Sequence, residues 1–116
     1  MFNFEKLEVW QKSVAYAGLV YRLSRGFPAD ERFGLTNQIR RAATSIASNI
    51  AEGSARSRPD FARFVGYAAG SLSEVITQAA IARNEGFLDE KAYQELYGTG
   101  DAIARMLSGL RASLGD

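Results

Sequence analysis

The stretch Gly34–Gly53, GLTNQIRRAATSIASNIAEG, constrains the fold more than any other part of the chain. Leu35, Ile39, Ala42, Ala43, Ile46, Ala47 and Ile50 recur at the spacing of one face of an α-helix. Arg41, Ser45, Ser48 and Glu52 fall on the opposite, wet face. A packing face made of Ala and Ile carries little bulk, so neighbouring helices approach closely. This pattern predicts a tight bundle or a subunit interface rather than an enzyme pocket.

Three further segments repeat the helical rhythm, and the chain reads as one domain, 1–116, with helices over approximately 7–24, 31–52, 58–84 and 89–114. In the first, Trp10, Val14, Ala17 and Tyr21 form the expected buried face. Gly26 is expected to supply a left-handed C-cap, and the position before Pro28 is pushed out of helix. The second is expected to start near Asp30 or Glu31, with Asp30 as N-cap, and to stop at Gly53. The third opens with Ser57 as cap, Pro59 in the first turn and Asp60 at the reciprocal capping-box position. Its stripe is Phe61, Phe64, Val65, Ala68, Leu72, Val75, Ile76 and Ala79, and it ends at Asn84-Glu85-Gly86. The fourth starts behind Asp89, with Tyr93, Leu96, Ile103, Met106, Leu107, Leu110 and Leu114 in period. Gly98 and Gly100 interrupt it, each costing roughly 1 kcal/mol relative to Ala; a bend or a close backbone contact is expected there. No segment alternates with period two. Short links favour antiparallel neighbours, so the expected fold is all-α, an up-down-up-down four-helix bundle.

Composition removes whole classes of chemistry. The 116 residues contain no Cys and no His, so thiolate sites, disulfides and the commonest general base and zinc ligand are lacking. No GxGxxG at a strand–helix junction, GxxxxGK[ST] or GxSxG is present. No cofactor, metal or catalytic residue is expected. The net charge is +1, which does not by itself mark a nucleic-acid binder. The start carries Glu5 and Glu8 and has no apolar core of a signal peptide, and no apolar run spans a bilayer. A cytoplasmic protein without a membrane role is expected.

Several constellations leave alternatives open. Gly66-x-x-x-Gly70 with Ser73 strips side chains from one side of the third helix, which fits either a subunit interface or tight packing within one chain. Arg40, Arg41, Arg56, Arg58 and Arg63 form one basic cluster, with Glu52 and Asp60 as the only acids across 38–63. Arg56 and Arg58 could present bidentate donors to a phosphate backbone; alternatively the arginines are solvated or paired with nearby acids. No aromatic platform is expected beside this cluster. Trp10, Tyr16, Tyr21, Phe61, Phe64 and Tyr67 read as core. Glu74, set among Leu72, Val75 and Ile76, is expected to be partly buried, accepting hydrogen bonds or pairing with an Arg. Asn49 is either a register-fixing amide between helices or a polar boundary residue.

The order Val9-Trp10-Gln11-Lys12, Phe27-Pro28 with Glu31, GLTNQIRRAATSIASNIAEG, Gly70-Ser71-Leu72 with Glu74 and Gly86-Phe87-Leu88 resembles the four-helix-bundle proteins named after intervening sequences in large-subunit ribosomal RNA genes. The resemblance covers nearly the whole chain. It implies an up-down bundle that assembles as a homopentamer, and a relation to the accessory proteins of diversity-generating retroelements, which hold nucleic acid together with a reverse transcriptase. By the same resemblance Arg40 and Arg41, and less directly Arg56 and Arg58, fall at the family's basic positions. This chain departs from the retroelement type in being nearly neutral overall. Two functional expectations follow: a non-catalytic oligomer that binds RNA or DNA through these arginines, or a protein-interaction adaptor whose arginines serve subunit contacts.

Overall fold

A computed structural model describes residues 1–115. Four helices account for most of the chain: α1 Glu8–Ser24, α2 Leu35–Ser54, α3 Arg58–Asn84 and α4 Glu90–Ser113. Single 3-10 turns precede α1 at Asn3–Lys6 and lie in the α1–α2 link at Ala29–Glu31. No strand forms among the described residues. The molecule is a rod of 42 × 22 × 21 Å, its length set by α3, whose 27 residues span about 40 Å.

The caps explain most of the boundaries. Ser57 accepts from the Asp60 N–H at the start of α3, with Pro59 in the first turn, and Asp89 accepts from the Ala92 N–H at the start of α4. The Asp60 carboxylate does not complete a capping box; it pairs with Arg63 at 3.1 Å. α3 closes over Gly86, which sits at φ 80°. Gly26, by contrast, is not left-handed, so the expected C-cap of α1 does not form. Instead Arg25 and Phe27 donate to Arg22 O and Ser24 O, and Phe27 turns inward to lie 6.1 Å from the Phe87 ring. α2 begins five residues after Asp30, which does not cap it. The Glu31 carboxylate does so, accepting from the Leu35 N–H at 3.0 Å.

The core is rich in alanine. Ala42 and Ala43 of α2 and Ala68, Ala79 and Ala82 of α3 are buried, together with Ile39, Ile46 and Ile50. This small-residue seam allows the α2–α3 pair its extensive contact. Gly53 extends it: the glycine is inside α2, not beyond its end, and a Cβ there would lie 2.6 Å from Phe64 Cβ. Its role is close approach rather than termination. Each helix packs on two neighbours in the cyclic order α1–α2–α3–α4. Arg58 at the start of α3 donates to Ser113 O at the end of α4, and Arg83 near the end of α3 pairs with Glu90 at the start of α4, so these two run antiparallel.

α1 is rotated by about one residue, roughly 100°, from the expected orientation. Its buried side is Val9, Ser13, Tyr16, Leu19, Val20 and Ser24, whereas Val14 and Tyr21 are 46% and 41% exposed. Two serines on the inner face hid it from the pattern. Both hydroxyls bond to their own helix, Ser13 to Val9 O and Ser24 to Tyr21 O, so burying them leaves nothing unpaired. Tyr16 is the largest side chain they flank. Its hydroxyl donates to Leu96 O of α4 at 2.9 Å, and burial pushes its pKa above the usual tyrosine range. Gly100 is the complementary feature: a Cβ there would stand 2.8 Å from the Tyr16 hydroxyl. α4 runs through Gly98 and Gly100 as one helix, and the close contact at Gly100 is with side chains, not backbone.

Candidate nucleic-acid interface

The five arginines read as one cluster separate into two groups. Roughly 20 Å of helix lies between Arg40 and the end of α2 at Ser54, beyond which Arg56 and Arg58 begin the second group.

The first group is built where the end of α1 meets the first half of α2. Arg40 is held in place: Nε donates to Ser24 Oγ at 2.8 Å, Nη2 to Tyr21 O at 3.4 Å, and the guanidinium lies 4.7 Å from the centre of the Tyr21 ring. The rotation of α1 that leaves Tyr21 on the surface is therefore what gives Arg40 its platform. Arg32, in the link, lies 5.5 Å from the centre of the Phe33 ring, and Phe33 is 86% exposed. These side chains line an open cleft of about 340 Å³ with Thr36 and Arg41. Among the described residues none of Arg32, Arg40 and Arg41 has a carboxylate within 4.0 Å. Three cations and two exposed rings thus share one cleft, with their charge unneutralised.

Arg41 also edges a polar groove between α2 and α3, beside Asn37, Gln38, Glu74 and Gln78. Gln78 Oε1 is buried and has no hydrogen-bond partner. Glu74 is exposed, contrary to the expectation of partial burial, because it faces away from the seam made by Val75 and Ala79.

The second group sits at the other end of the rod. Arg56 pairs with Glu52 at 2.9 Å and lies over the Phe64 ring, while Arg58 is tied to Ser113 O at 2.7 Å. Arg63 bridges Asp60 and the Tyr67 hydroxyl; these hydrogen bonds, that to Tyr67 first, raise its pKa. Tyr67 is 48% exposed. Both arginine groups therefore carry aromatic partners, which the sequence pattern does not show, because helical spacing places Tyr21 and Tyr67 in the core. The signal was present as Arg–aromatic pairs, but their i,i+4 and cross-helix partners emerge only once the helices are oriented.

The remaining candidates have local roles. The Asn49 amide donates to Ser45 O of its own helix at 2.8 Å, so it does not reach across to fix register. Gly66 faces the Arg111 guanidinium, whereas Gly70 has nothing within 4 Å of where a Cβ would stand, and the exposed Ser73 hydroxyl bonds back to Ala69 O. Tight packing within the chain thus accounts for Gly66 but not for Gly70. Among the described residues no group of three or more metal-ligating side chains converges, and no helix is long and apolar enough to cross a membrane.

Comparison with known proteins agrees with the fold. A crystal structure of a protein of unknown function from the S23 ribosomal protein family of Bacteroides thetaiotaomicron VPI-5482 superposes with a TM-score of 0.82. It is 23% identical, and the alignment covers 90% of this chain and 95% of that one. No curated protein matches. The family model described as 23S rRNA-intervening sequence protein matches residues 5–109, and the chain belongs to that family.

Proposed function

We propose that this protein is a non-catalytic, oligomeric helical bundle that associates with nucleic acid through the cleft between α1 and α2. The observation that carries the reading is the convergence of Arg32, Arg40 and Arg41 with the exposed rings of Tyr21 and Phe33, without a neutralising carboxylate among the described residues. Guanidinium groups match phosphate oxygens in pairs, and an open aromatic face accepts an unstacked base, so the cleft fits a single strand or a splayed loop. A net charge of +1 makes this a local attraction rather than a property of the whole surface. The family's name, taken from intervening sequences of 23S rRNA, supports an RNA context.

The test is equilibrium binding of a labelled, single-stranded RNA at low salt, comparing the natural protein with Arg32→Gln/Arg41→Gln. Both residues are exposed, so the fold is retained. A loss of affinity on the order of tenfold or more is expected. Equal affinity for the two proteins, or no binding by either, removes this reading.

A second reading is supported by the small-residue side of α3. Gly70 is bare, and beside it Ala69, Ser73 and Thr77 border a groove closed by Tyr97 and Ala104 of α4. Such a surface suits contact between copies of the chain, whether or not nucleic acid is bound. Light scattering of Ser73→Arg should then report a smaller particle than the natural protein. An unchanged mass would count against this surface as the subunit contact.

A further inference from the structure

The cyclic order of the helices places the α1–α2 cleft and the α3–α4 pair on opposite sides of the rod. The ends differ as well. The first cleft uses the link before α2 and that helix's first half; the second arginine group sits where α3 begins and α4 ends. The two groups therefore occupy diagonally opposite corners.

The second corner is an open cleft of about 590 Å³ lined by Ala62, Arg63, Gly66, Tyr67, Arg111 and Leu114. Its construction parallels the first. Arg63 lies beside the edge-to-face pair of Phe64 and Tyr67, 5.3 and 5.8 Å from their ring centres. Arg111 of α4 crosses to α3 and occupies the space left by Gly66, where a Cβ would come within 3.3 Å of Nη1. The absence of a side chain at Gly66 thus admits a second guanidinium to the cleft that Tyr67 also lines. Among the described residues Arg111 has no carboxylate within 4.0 Å, and Arg58 is held nearby through Ser113 O rather than by an acid. The half-exposed Tyr67 ring provides the stacking surface.

We infer that each chain binds two single-stranded nucleic-acid segments at once, one in the α1–α2 cleft and one in the Arg63–Tyr67–Arg111 cleft, and so holds them together. This rests on the reading that the first cleft binds nucleic acid. A straight strand lying in one cleft does not reach the other, because they face away from each other across the width of the bundle. Two segments held on one small rod meet at a high effective concentration, which favours pairing or joint capture with no added contact between them. In the second cleft Asp60 offsets Arg63, one of the two guanidinium groups that line it, so its affinity is the weaker of the two and its salt dependence the shallower.

The experiment mixes the protein with two non-complementary short RNA strands, one carrying a fluorescence donor and the other an acceptor. Energy transfer between them is read alongside native mass spectrometry, which counts strands per chain whatever the oligomeric state. Two strands per chain and clear energy transfer are expected for the natural protein. Arg111→Gln/Tyr67→Ala should reduce the count to one, and lower the affinity for that remaining strand by less than about twofold, since the sites are remote. Arg32→Gln/Arg41→Gln should also leave one strand, bound more weakly. Both Arg111 and Tyr67 are exposed, and far-ultraviolet circular dichroism of the variant checks that the bundle is retained.

A count of one strand per chain for the natural protein overturns the inference while leaving the first cleft intact. A count of two that survives Arg111→Gln/Tyr67→Ala overturns it as well. Loss of all binding in that variant would transfer the main site to the α3–α4 corner and overturn both readings together.

Discussion

At the scale of single residues, the contact between Tyr16 and Gly100 organises the packing of α1 against α4. The phenol crosses the core to Leu96 O, and only a residue without Cβ leaves room for it, with Ile76 Cδ1 and Leu72 Cδ1 at 3.1 and 3.2 Å from the same point. Gly100→Ala gains about 1 kcal/mol in helix propensity but forces this buried, hydrogen-bonded ring to move, at a cost of about 1–3 kcal/mol. A net loss of stability in urea unfolding is expected. Tyr16→Phe alone should cost about 1 kcal/mol. In the double variant the closest of the three contacts, that with the hydroxyl, is removed, so the two costs should not add in full. The same phenol gives a pH signature. Burial raises its pKa, so the folded state keeps a proton that the unfolded chain releases near pH 10. Its contribution is present below pH 10 and declines above it. Unfolding curves at pH 8 and 11 should therefore show a smaller alkaline loss for Tyr16→Phe than for the natural protein.

At the scale of elements, the helices were legible because their signals are local. The caps at Ser57 and Asp89, Pro59 in the first turn and Gly86 after α3 all act within a few residues of chain. Asp89→Ala should lower stability by about 1 kcal/mol, read as a shift of the urea midpoint with an unchanged slope. The orientation of α1 was not legible. Two stripes one residue apart, Val9–Tyr16–Val20 and Trp10–Val14–Tyr21, are similarly apolar, and the decision lies with partners far away in sequence. Ser13 and Ser24 tip the choice only because their hydroxyls find acceptors on their own helix. The start of α2 escaped for a related reason. A carboxylate at Glu31 reaches forward to cap Leu35 across a turn, whereas Asp30, the better cap by residue type, lies within the 3-10 turn Ala29–Glu31, five residues before α2 begins.

At the scale of the whole molecule, linear proximity misled where the fold separates. Arg40 and Arg56 look like one basic cluster along the chain, yet the length of α2 sets them at different ends of the rod. The same geometry brings together what the sequence keeps apart: Tyr21 with Arg40, and Gly66 with Arg111. Residues of the candidate site were thus half visible, as arginines, and half hidden, as the rings and remote cations that complete each cleft. The salt dependence of binding tests this assignment most directly, because it counts phosphates. With single-stranded RNA, each phosphate neutralised contributes about −0.7 to the slope of log K against log salt. The account predicts a slope near −2 for the first cleft, made by Arg32, Arg40 and Arg41, and one shallower by about 0.7 for Arg41→Gln. A slope that Arg41→Gln leaves unchanged, or an affinity indifferent to salt, would contradict it.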